Sequence, residues 1–161
     1  MTTIAFITTE TNGLHKKIYK LEKNKSLDQC MEIIPNVDKQ FKNLYMFAHL
    51  LSLKYNIGTF NDGKFIETKS KKFIFKPNNF VLDNNSIKFH GYTMEKLVKK
   101  GKNPYEILQE FTNDIKNINY LVFHSANYHI KAIQAELLRN CVYLNLNNYK
   151  IIELNTCNHN I

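Results

Sequence analysis

The sequence predicts an α/β fold with a mixed β-sheet, in which a hairpin is followed by parallel β-α-β crossovers. Three observations lead to this prediction. The chain begins with a short apolar, β-branched stretch; an Asn-Asp-Gly-Lys turn signal at residues 61–64 separates two strand-like segments; and the second half alternates helix-like with strand-like segments. At 161 residues the chain is long enough to form one domain with its own core, residues 1–161.

The first half begins with a buried strand and an insertion. Residues 2–7 are apolar and β-branched and are followed by turn residues, which indicates a buried strand. Residues 15–43 are rich in lysine and are interpreted as a surface insertion. Within it, residues 28–34 are a possible short helix that Pro35 ends.

The middle of the chain is predicted to form a central strand and a hairpin. Residues 45–56 are apolar and aromatic enough for a central strand. The turn signal between residues 55–60 and 65–76 favours an antiparallel hairpin. Residues 77–79 and 83–85 are polar and contain Pro, Asn and Asp, so they are predicted loops.

The second half contains the predicted helices. Thr93 is a plausible N-cap for a helix over residues 94–100 that Gly101 ends, and Pro104 is well placed to begin a helix over residues 104–117. That second helix carries an apolar stripe, Ile107, Leu108, Phe111 and Ile115. A short buried strand (120–123), an amphipathic helix (126–140) and a last strand (149–154) follow.

Composition indicates a soluble, intracellular protein. Hydrophobic residues make up 43% of the chain, no apolar run approaches the ~20 residues that a membrane span needs, and the three cysteines show no CxxC spacing. The net charge of +8 favours a polyanionic partner such as nucleic acid. Almost all of the positive charge is Lys, and the abundance of Asn, Ile and Lys is also expected from AT-rich codons, so the charge has two explanations.

Three segments carry the sequence motifs. The first is a strand ending in a polar, Gly-containing turn, Phe6-Ile7-Thr8-Thr9-Glu10-Thr11-Asn12-Gly13-Leu14. The second is Leu121-Val122-Phe123-His124-Ser125-Ala126-Asn127-Tyr128-His129, continuing to Glu136-Leu137-Leu138-Arg139. The third is Phe89-His90-Gly91-Tyr92-Thr93.

Together these segments resemble the DEDDh 3′–5′ exonucleases of the ribonuclease H-like superfamily. In this resemblance Glu10 keeps the family Glu, while Thr8 and His129 replace two of its Asp residues. Asn155 replaces a further Asp after the last strand, and the third motif, His followed five residues later by Asp, has no counterpart. The resemblance covers about residues 3–156 and implies a mixed five-stranded sheet flanked by helices, without the last helix of the family.

The resemblance also implies a chemistry for which most ligands are missing. The family cleaves phosphodiesters with two divalent metals about 4 Å apart, held by four carboxylates, of which only Glu10 is retained. Thr8 offers a neutral hydroxyl, and His129 offers a nitrogen that suits Zn²⁺ or Mn²⁺ better than Mg²⁺ and repels a metal when it is protonated. Glu10 and His129 would hold one softer ion or form a Glu–His hydrogen bond. No cofactor is expected, or Mg²⁺ or Mn²⁺ if the chain is active.

The resemblance implies a set of residues near a nucleic-acid strand: Thr11, Asn12, Gly13, Leu14, His90, His124, Ser125 and Asn127. Each has a structural alternative. His124 is expected to be a hydrogen-bonded core histidine at a buried strand end, and His90 to lie in a turn. Ser125 or Asn127 would serve equally as a helix cap.

Three hypotheses follow. The favoured one is an exonuclease-like domain that binds single-stranded nucleic acid without catalysis. The second is an active metal-dependent 3′–5′ exonuclease with a non-standard site or a completing partner. The third is a protein-interaction adaptor or a decaying reading frame. The sequence predicts no membrane association and leaves the oligomeric state open.

Overall fold

A computed structural model of the chain describes residues 2–20, 31–33, 36–37, 42–82 and 84–154. The strands are β1 (Thr3–Thr11), β2 (Ile18–Lys20), β3 (Met31–Ile33), β4 (Leu50–Asn61), β5 (Lys64–Ile74), β6 (Tyr120–Phe123) and β7 (Lys150–Glu153). The helices are α1 (Asn84–His90), α2 (Met94–Lys100), α3 (Pro104–Ile115) and α4 (Ala126–Arg139). Two 3₁₀ turns lie at Leu44–Met46 and Leu146–Asn148.

The main sheet has five strands in the order β5-β4-β1-β6-β7. Strand β1 is antiparallel to β4, and β4 to β5, whereas β6 is parallel to both β1 and β7. The predicted mixed sheet, with a hairpin on one side and parallel crossovers on the other, is therefore confirmed. Strands β2 and β3 form a separate two-stranded antiparallel sheet within the segment interpreted as an insertion.

Strand β1 alternates between buried and exposed side chains, as a strand with one covered face should. Ala5, Ile7 and Thr9 are buried, while Thr8 and Glu10 are exposed. The buried face contributes to the large core cluster between the sheet and helices α3 and α4. The pairing with β4 shifts register between Glu10 and Thr11, so the chain bends where β1 ends.

Local signals placed the hairpin and the helix starts correctly. Asp62 (φ 49°) and Gly63 (φ 75°) both have positive φ angles, which two-residue hairpin turns require. The Thr93 side chain accepts a hydrogen bond from Lys96 N, and the Asn103 side chain accepts one from Tyr105 N ahead of Pro104. The predicted apolar stripe of α3 is buried in the core.

Apart from shifts of one or two residues at element ends, the structure differs from the sequence prediction in three places. The strand predicted over residues 45–56 begins only at Leu50, because residues 44–46 form a 3₁₀ turn. Residues 84 and 85, predicted as loop, begin α1, whose Ile87 packs on a small second core cluster. The helix predicted over residues 28–34 is wrong at Met31–Ile33, which pair with β2; its other residues lie outside the described part.

Within the described residues, no helix combines the length and apolar character that crossing a membrane demands.

Candidate functional site

A cleft of about 630 Å³ opens where the end of β1 meets α1 and the start of α4. We call it the first cleft. Its walls are residues 9–11, 13 and 14 from β1 and the following turn, residues 85, 86, 89 and 90 from α1, and residues 125, 128 and 129 from the β6–α4 junction. The bend at the end of β1 and the start of α4 thus bring two of the sequence motifs together.

Neutral hydrogen bonds join β1 to α4 in this cleft. The Thr9 hydroxyl and His129 Nδ1 are 2.8 Å apart. Thr11 lies two residues after Thr9, and its hydroxyl contacts that of Tyr128, the residue before His129; both hydroxyls donate to the carbonyl oxygen of Gly13, at 2.8 and 2.7 Å. These bonds fix the turn that follows β1 against the first turn of α4.

Burial favours the neutral forms of two histidines, His15 and His129, which lie against these hydrogen-bonded residues. His15 is buried, its ring is stacked 4.4 Å from that of Tyr128, and its two nitrogens bond Tyr128 O and Ala48 N at 2.9 and 3.0 Å. Burial lowers the pKa of His15. Burial, together with the nearby charges of His124 and His15, lowers the pKa of His129.

Glu10 and His90 face each other across the other side of the cleft. His90 Nδ1 accepts a hydrogen bond from Tyr92 N at 3.0 Å, so its ring orientation is fixed by the end of α1. Burial lowers the pKa of His90, and the negative charge of Glu10 acts in the opposite direction. His90 is the last residue of α1 rather than a turn residue.

The rim of the cleft is apolar and open. Leu14 is 83% exposed and Phe89 is 92% exposed. Both side chains line the same cleft, and exposed apolar side chains grouped in one place mark binding surfaces more clearly than a single exposed residue does. The rim offers a flat aromatic ring and an aliphatic side chain to a ligand.

The start of α4 is capped from another strand. Glu153 Oε1, at the end of β7, accepts a hydrogen bond from Ala126 N at 3.0 Å. Ser125 adopts a left-handed conformation (φ 58°), and its side chain makes no capping bond; its hydroxyl lies 3.4 Å from His124 Nδ1. The alternative that Ser125 is an ordinary side-chain cap is therefore wrong. His124 is exposed, which contradicts the expectation of a core histidine.

The structure brings some of the sequence-predicted site residues together and separates others. Those that line the first cleft are Glu10, Thr11, Gly13, Leu14, His90, Ser125 and His129. Those that do not are Thr8, Asn12, His124 and Asn127. Thr8 points away from the face that Thr9 shares with His129, and its partner on β4 is the exposed Lys54. Side chains in such cross-strand pairs lie about 5 Å apart.

The donor set of the cleft does not fit a pair of divalent cations. Among the described residues that line it, Glu10 is the one carboxylate. No group of three or more His, Cys, Asp and Glu side chains in the described part of the chain is placed to hold a metal. The hydrogen bond of His129 is made with Thr9 and not with Glu10, so the expected Glu10–His129 hydrogen bond is replaced by a Thr–His one.

Sequence reasoning overlooked four residues that build the cleft: Thr9, His15, Tyr128 and Phe89. Phe89 could have been identified from the sequence, because it precedes His90 in one of the motifs. A predicted helix over residues 84–90 would have put both residues near the same cleft. Thr9 had a weaker signal, because strand alternation separates it from Thr8. The contacts of His15 and Tyr128 join positions 113 residues apart and leave no local pattern.

The comparisons with known proteins bear on the fold. No protein-family model matches the chain, and no curated protein matches it in sequence. Solved structures match its fold. The product-bound structure of exonuclease I aligns with 95% of this chain at a TM-score of 0.66 and 11% identity, and the match covers 30% of that protein.

Two further structures agree. E. coli exonuclease I in complex with a dT13 oligonucleotide aligns with 95% of this chain and 28% of that protein, at a TM-score of 0.65 and 10% identity. The zinc-bound form of the E. coli exonuclease I complex with single-stranded DNA gives a TM-score of 0.66 and 11% identity over the same shares.

These matches define the chain first as an α/β domain with a mixed five-stranded sheet. More narrowly, its fold resembles that of exonuclease I. The chain spans less than a third of the length of those structures. At 10–11% identity the likeness concerns the fold alone.

Proposed function

We propose that this domain binds single-stranded nucleic acid in the first cleft and does not hydrolyse it. The observation that carries the proposal is the make-up of that cleft: an open aromatic and aliphatic rim over a neutral, hydrogen-bonded floor, with Glu10 as the one carboxylate among its described lining residues. The exonuclease I structures of the same fold, which include complexes with DNA oligonucleotides, support this choice of ligand.

The rim suits unpaired bases. The ring of Phe89 is 92% exposed, and a base stacked on an aromatic side chain gains about 1–3 kcal/mol whatever its identity. A duplex would hide the faces of its bases from this ring. The net charge of +8 adds a long-range attraction to any polyanion, which weakens as salt is added.

The floor suits a sugar or phosphate more than a metal. The Ser125 hydroxyl can donate a hydrogen bond to a phosphate oxygen, and the hydroxyl oxygens of Thr11 and Tyr128, whose protons go to Gly13 O, can accept hydrogen bonds from a sugar hydroxyl. Metal-assisted phosphodiester cleavage needs anionic ligands that neutralise the charge of two cations. At the position of the family's first Asp, Thr8 supplies no charge and is paired across the sheet with Lys54, whose positive charge opposes cation binding there.

The binding half is tested by fluorescence anisotropy with a labelled dT8 oligonucleotide at low salt. Phe89→Ala is expected to weaken binding about tenfold, the equivalent of one lost stacking contact. Tyr143→Ala is the matched control, because Tyr143 is 89% exposed and lines neither cleft described in this structure. Absence of wild-type binding at low salt, with the protein folded, would overturn this half.

The catalytic half is tested with end-labelled single-stranded DNA and RNA in Mg²⁺ and, separately, in Mn²⁺. The wild-type chain and Glu10→Ala are both expected to leave the substrates intact. A 3′-to-5′ ladder that the wild type produces and Glu10→Ala does not would show that Glu10 anchors a working metal site. That outcome would favour the active-exonuclease hypothesis.

A further inference from the structure

We propose that a second cleft, separated from the first by residues 12–14, binds a neighbouring nucleotide of the same single strand by stacking it on Tyr45. This inference rests on the proposed function and extends it from one cleft to a path of two. We call residues 12–14 the strap. The second cleft has a volume of about 400 Å³ and lies between the strap, Lys16, residues 45–49 and Phe80.

The two clefts adjoin each other at the strap. Gly13 and Leu14 line both of them, and Leu14 is 83% exposed between them. Asn12 lines the second cleft and holds the strap in place: its backbone N donates to His49 O at 3.0 Å, and its side-chain Oδ1 accepts from His49 N at 2.7 Å. A strand that leaves the first cleft across Leu14 therefore enters the second.

The second cleft contains the two features that single-stranded nucleic acids need, an aromatic platform and a cation. Tyr45 is 71% exposed, and the Lys16 ammonium lies 5.2 Å from the centre of its ring. A base stacked on Tyr45 brings its own phosphate within reach of a cation held at the ring. The rings of His49 and Phe80, which also line this cleft, are stacked with their centroids 4.8 Å apart.

The segment that carries Tyr45 is fixed before any ligand arrives. The Arg139 guanidinium donates to the carbonyl oxygens of Leu44 at 2.8 Å, Phe47 at 2.6 Å and Ala48 at 3.3 Å. Glu136 Oε2 in turn accepts from Arg139 at 2.8 Å. Because the backbone on both sides of Tyr45 is held, binding there costs little ordering of the protein.

Charge selects nucleic acid as the occupant. Lys16 is the one Lys, Arg, Asp or Glu among the described residues that line the second cleft, so the local charge is positive, as is the net charge of the chain. An anionic strand complements both. Stacking of a second base on Tyr45 would also explain why an exposed aromatic residue lines each cleft, Phe89 in the first and Tyr45 in the second.

The test compares Tyr45→Ala, Tyr45→Phe and Tyr143→Ala in dT8 binding by anisotropy, with thermal melts to confirm folding. Tyr45→Ala is expected to weaken binding about tenfold, whereas Tyr45→Phe, which keeps the ring, and Tyr143→Ala stay within twofold of wild type. Lys16→Gln is expected to lower the slope of log Kd against log salt by about 0.7, and Lys116→Gln, on the far end of α3, is its control.

The outcomes separate the two proposals. If wild type binds dT8 and Phe89→Ala weakens it, but Tyr45→Ala matches Tyr143→Ala, the second cleft is not on the path and this inference is overturned while the proposed function stands. If wild type does not bind dT8, the proposed function itself fails. A tenfold loss in both Phe89→Ala and Tyr45→Ala, with Tyr45→Phe unaffected, supports both.

Discussion

The first cleft and the outer edge of the sheet differ in the contacts that join strand to helix: ion pairs at the edge and neutral hydrogen bonds in the cleft. At the edge, Asp114 of α3 accepts hydrogen bonds from Lys69 at 2.6 Å and Tyr55 at 2.8 Å and forms an ion pair with Lys71 at 2.7 Å. Lys71 also pairs with Glu110. In the cleft, the comparable contacts between β1 and α4 are neutral ones, Thr with His and Thr with Tyr.

This difference shows that several of the carboxylates outside the cleft serve as structural ion-pair partners. Asp114 and Glu110 tie the edge strand β5 to α3, and the buried Glu136 forms an ion pair with Arg139 beneath the 3₁₀ turn. Each of these acids lies beside a cation that neutralises it. A metal site needs unpaired acids gathered at one point, and the described residues gather none.

The largest effect is expected from breaking the Glu136–Arg139 pair. Burial alone would raise the pKa of Glu136, but the hydrogen bond with His49 and the charge of Arg139 lower it. Arg139→Ala removes the cation beside this buried carboxylate and the hydrogen bonds that Arg139 donates to it and to three backbone carbonyls, so the free energy of unfolding is expected to fall by about 3 kcal/mol. Urea unfolding measures it, with Arg139→Lys as the charge-preserving comparison. A loss below about 1 kcal/mol would show that the pair is not structural.

An intermediate effect is expected at the sheet edge. Burial opposes ionisation of Asp114, but hydrogen bonds from Lys69, Lys71 and Tyr55 lower its pKa from 3.8 to about 2. The stabilisation is therefore present above about pH 4 and is lost as the pH falls through 2, and it amounts to about 2 kcal/mol at neutral pH. Asp114→Asn is expected to remove it.

The pH dependence is the decisive measurement for Asp114→Asn. Urea unfolding at pH 7 and at pH 3 should show the difference from wild type shrinking in acid. Asp62→Asn in the exposed hairpin turn is the control and should be nearly neutral at both values, because Asn also tolerates the positive φ angle there. A difference that is unchanged at pH 3 would mean that Asp114 acts by packing and not by charge.

The smallest effect is expected inside the cleft, where the contacts are neutral. Thr9→Val removes the hydroxyl that bonds His129 Nδ1 and keeps the shape of the side chain, so a loss of about 1 kcal/mol is expected. Thr8→Val, one residue away on the exposed face, should change stability far less. Equal losses in urea unfolding would contradict the assignment of Thr9 and Thr8 to opposite faces.

Much of the fold followed from local patterns in the sequence. The Asn-Asp-Gly-Lys turn, the Pro104 helix start and the apolar stripe of α3 each act over a few residues, so a sequence pattern is enough to locate them. The start of α1 did not follow, because its first residues, Asn84 and Asn85, are typical of loops, and the helix is stabilised by packing of Ile87.

The cleft was less predictable for a physical reason. The motif residues Glu10, His90 and His129 could be named from the sequence, and the structure places all three around one cleft. The contacts of these residues could not be predicted from the sequence. For example, His129 bonds Thr9, which is 120 residues away, and such a pairing depends on how both segments are placed in the fold. The burial of His124 was misjudged in the same way, since a residue at a strand end is covered only if another element lies over it.

The position of β1 has a consequence for the order in which the chain assembles. Strand β1 precedes the other described strands along the chain, yet it occupies the centre of the sheet, between β4 and β6, and Thr3 bonds Asn119, 116 residues later. Such distant pairing slows folding, because a long loop must close before its contacts form. While the protein is being made, one edge of β1 therefore stays open until residues 120–123 have left the ribosome, and truncations before that point should yield chains that aggregate.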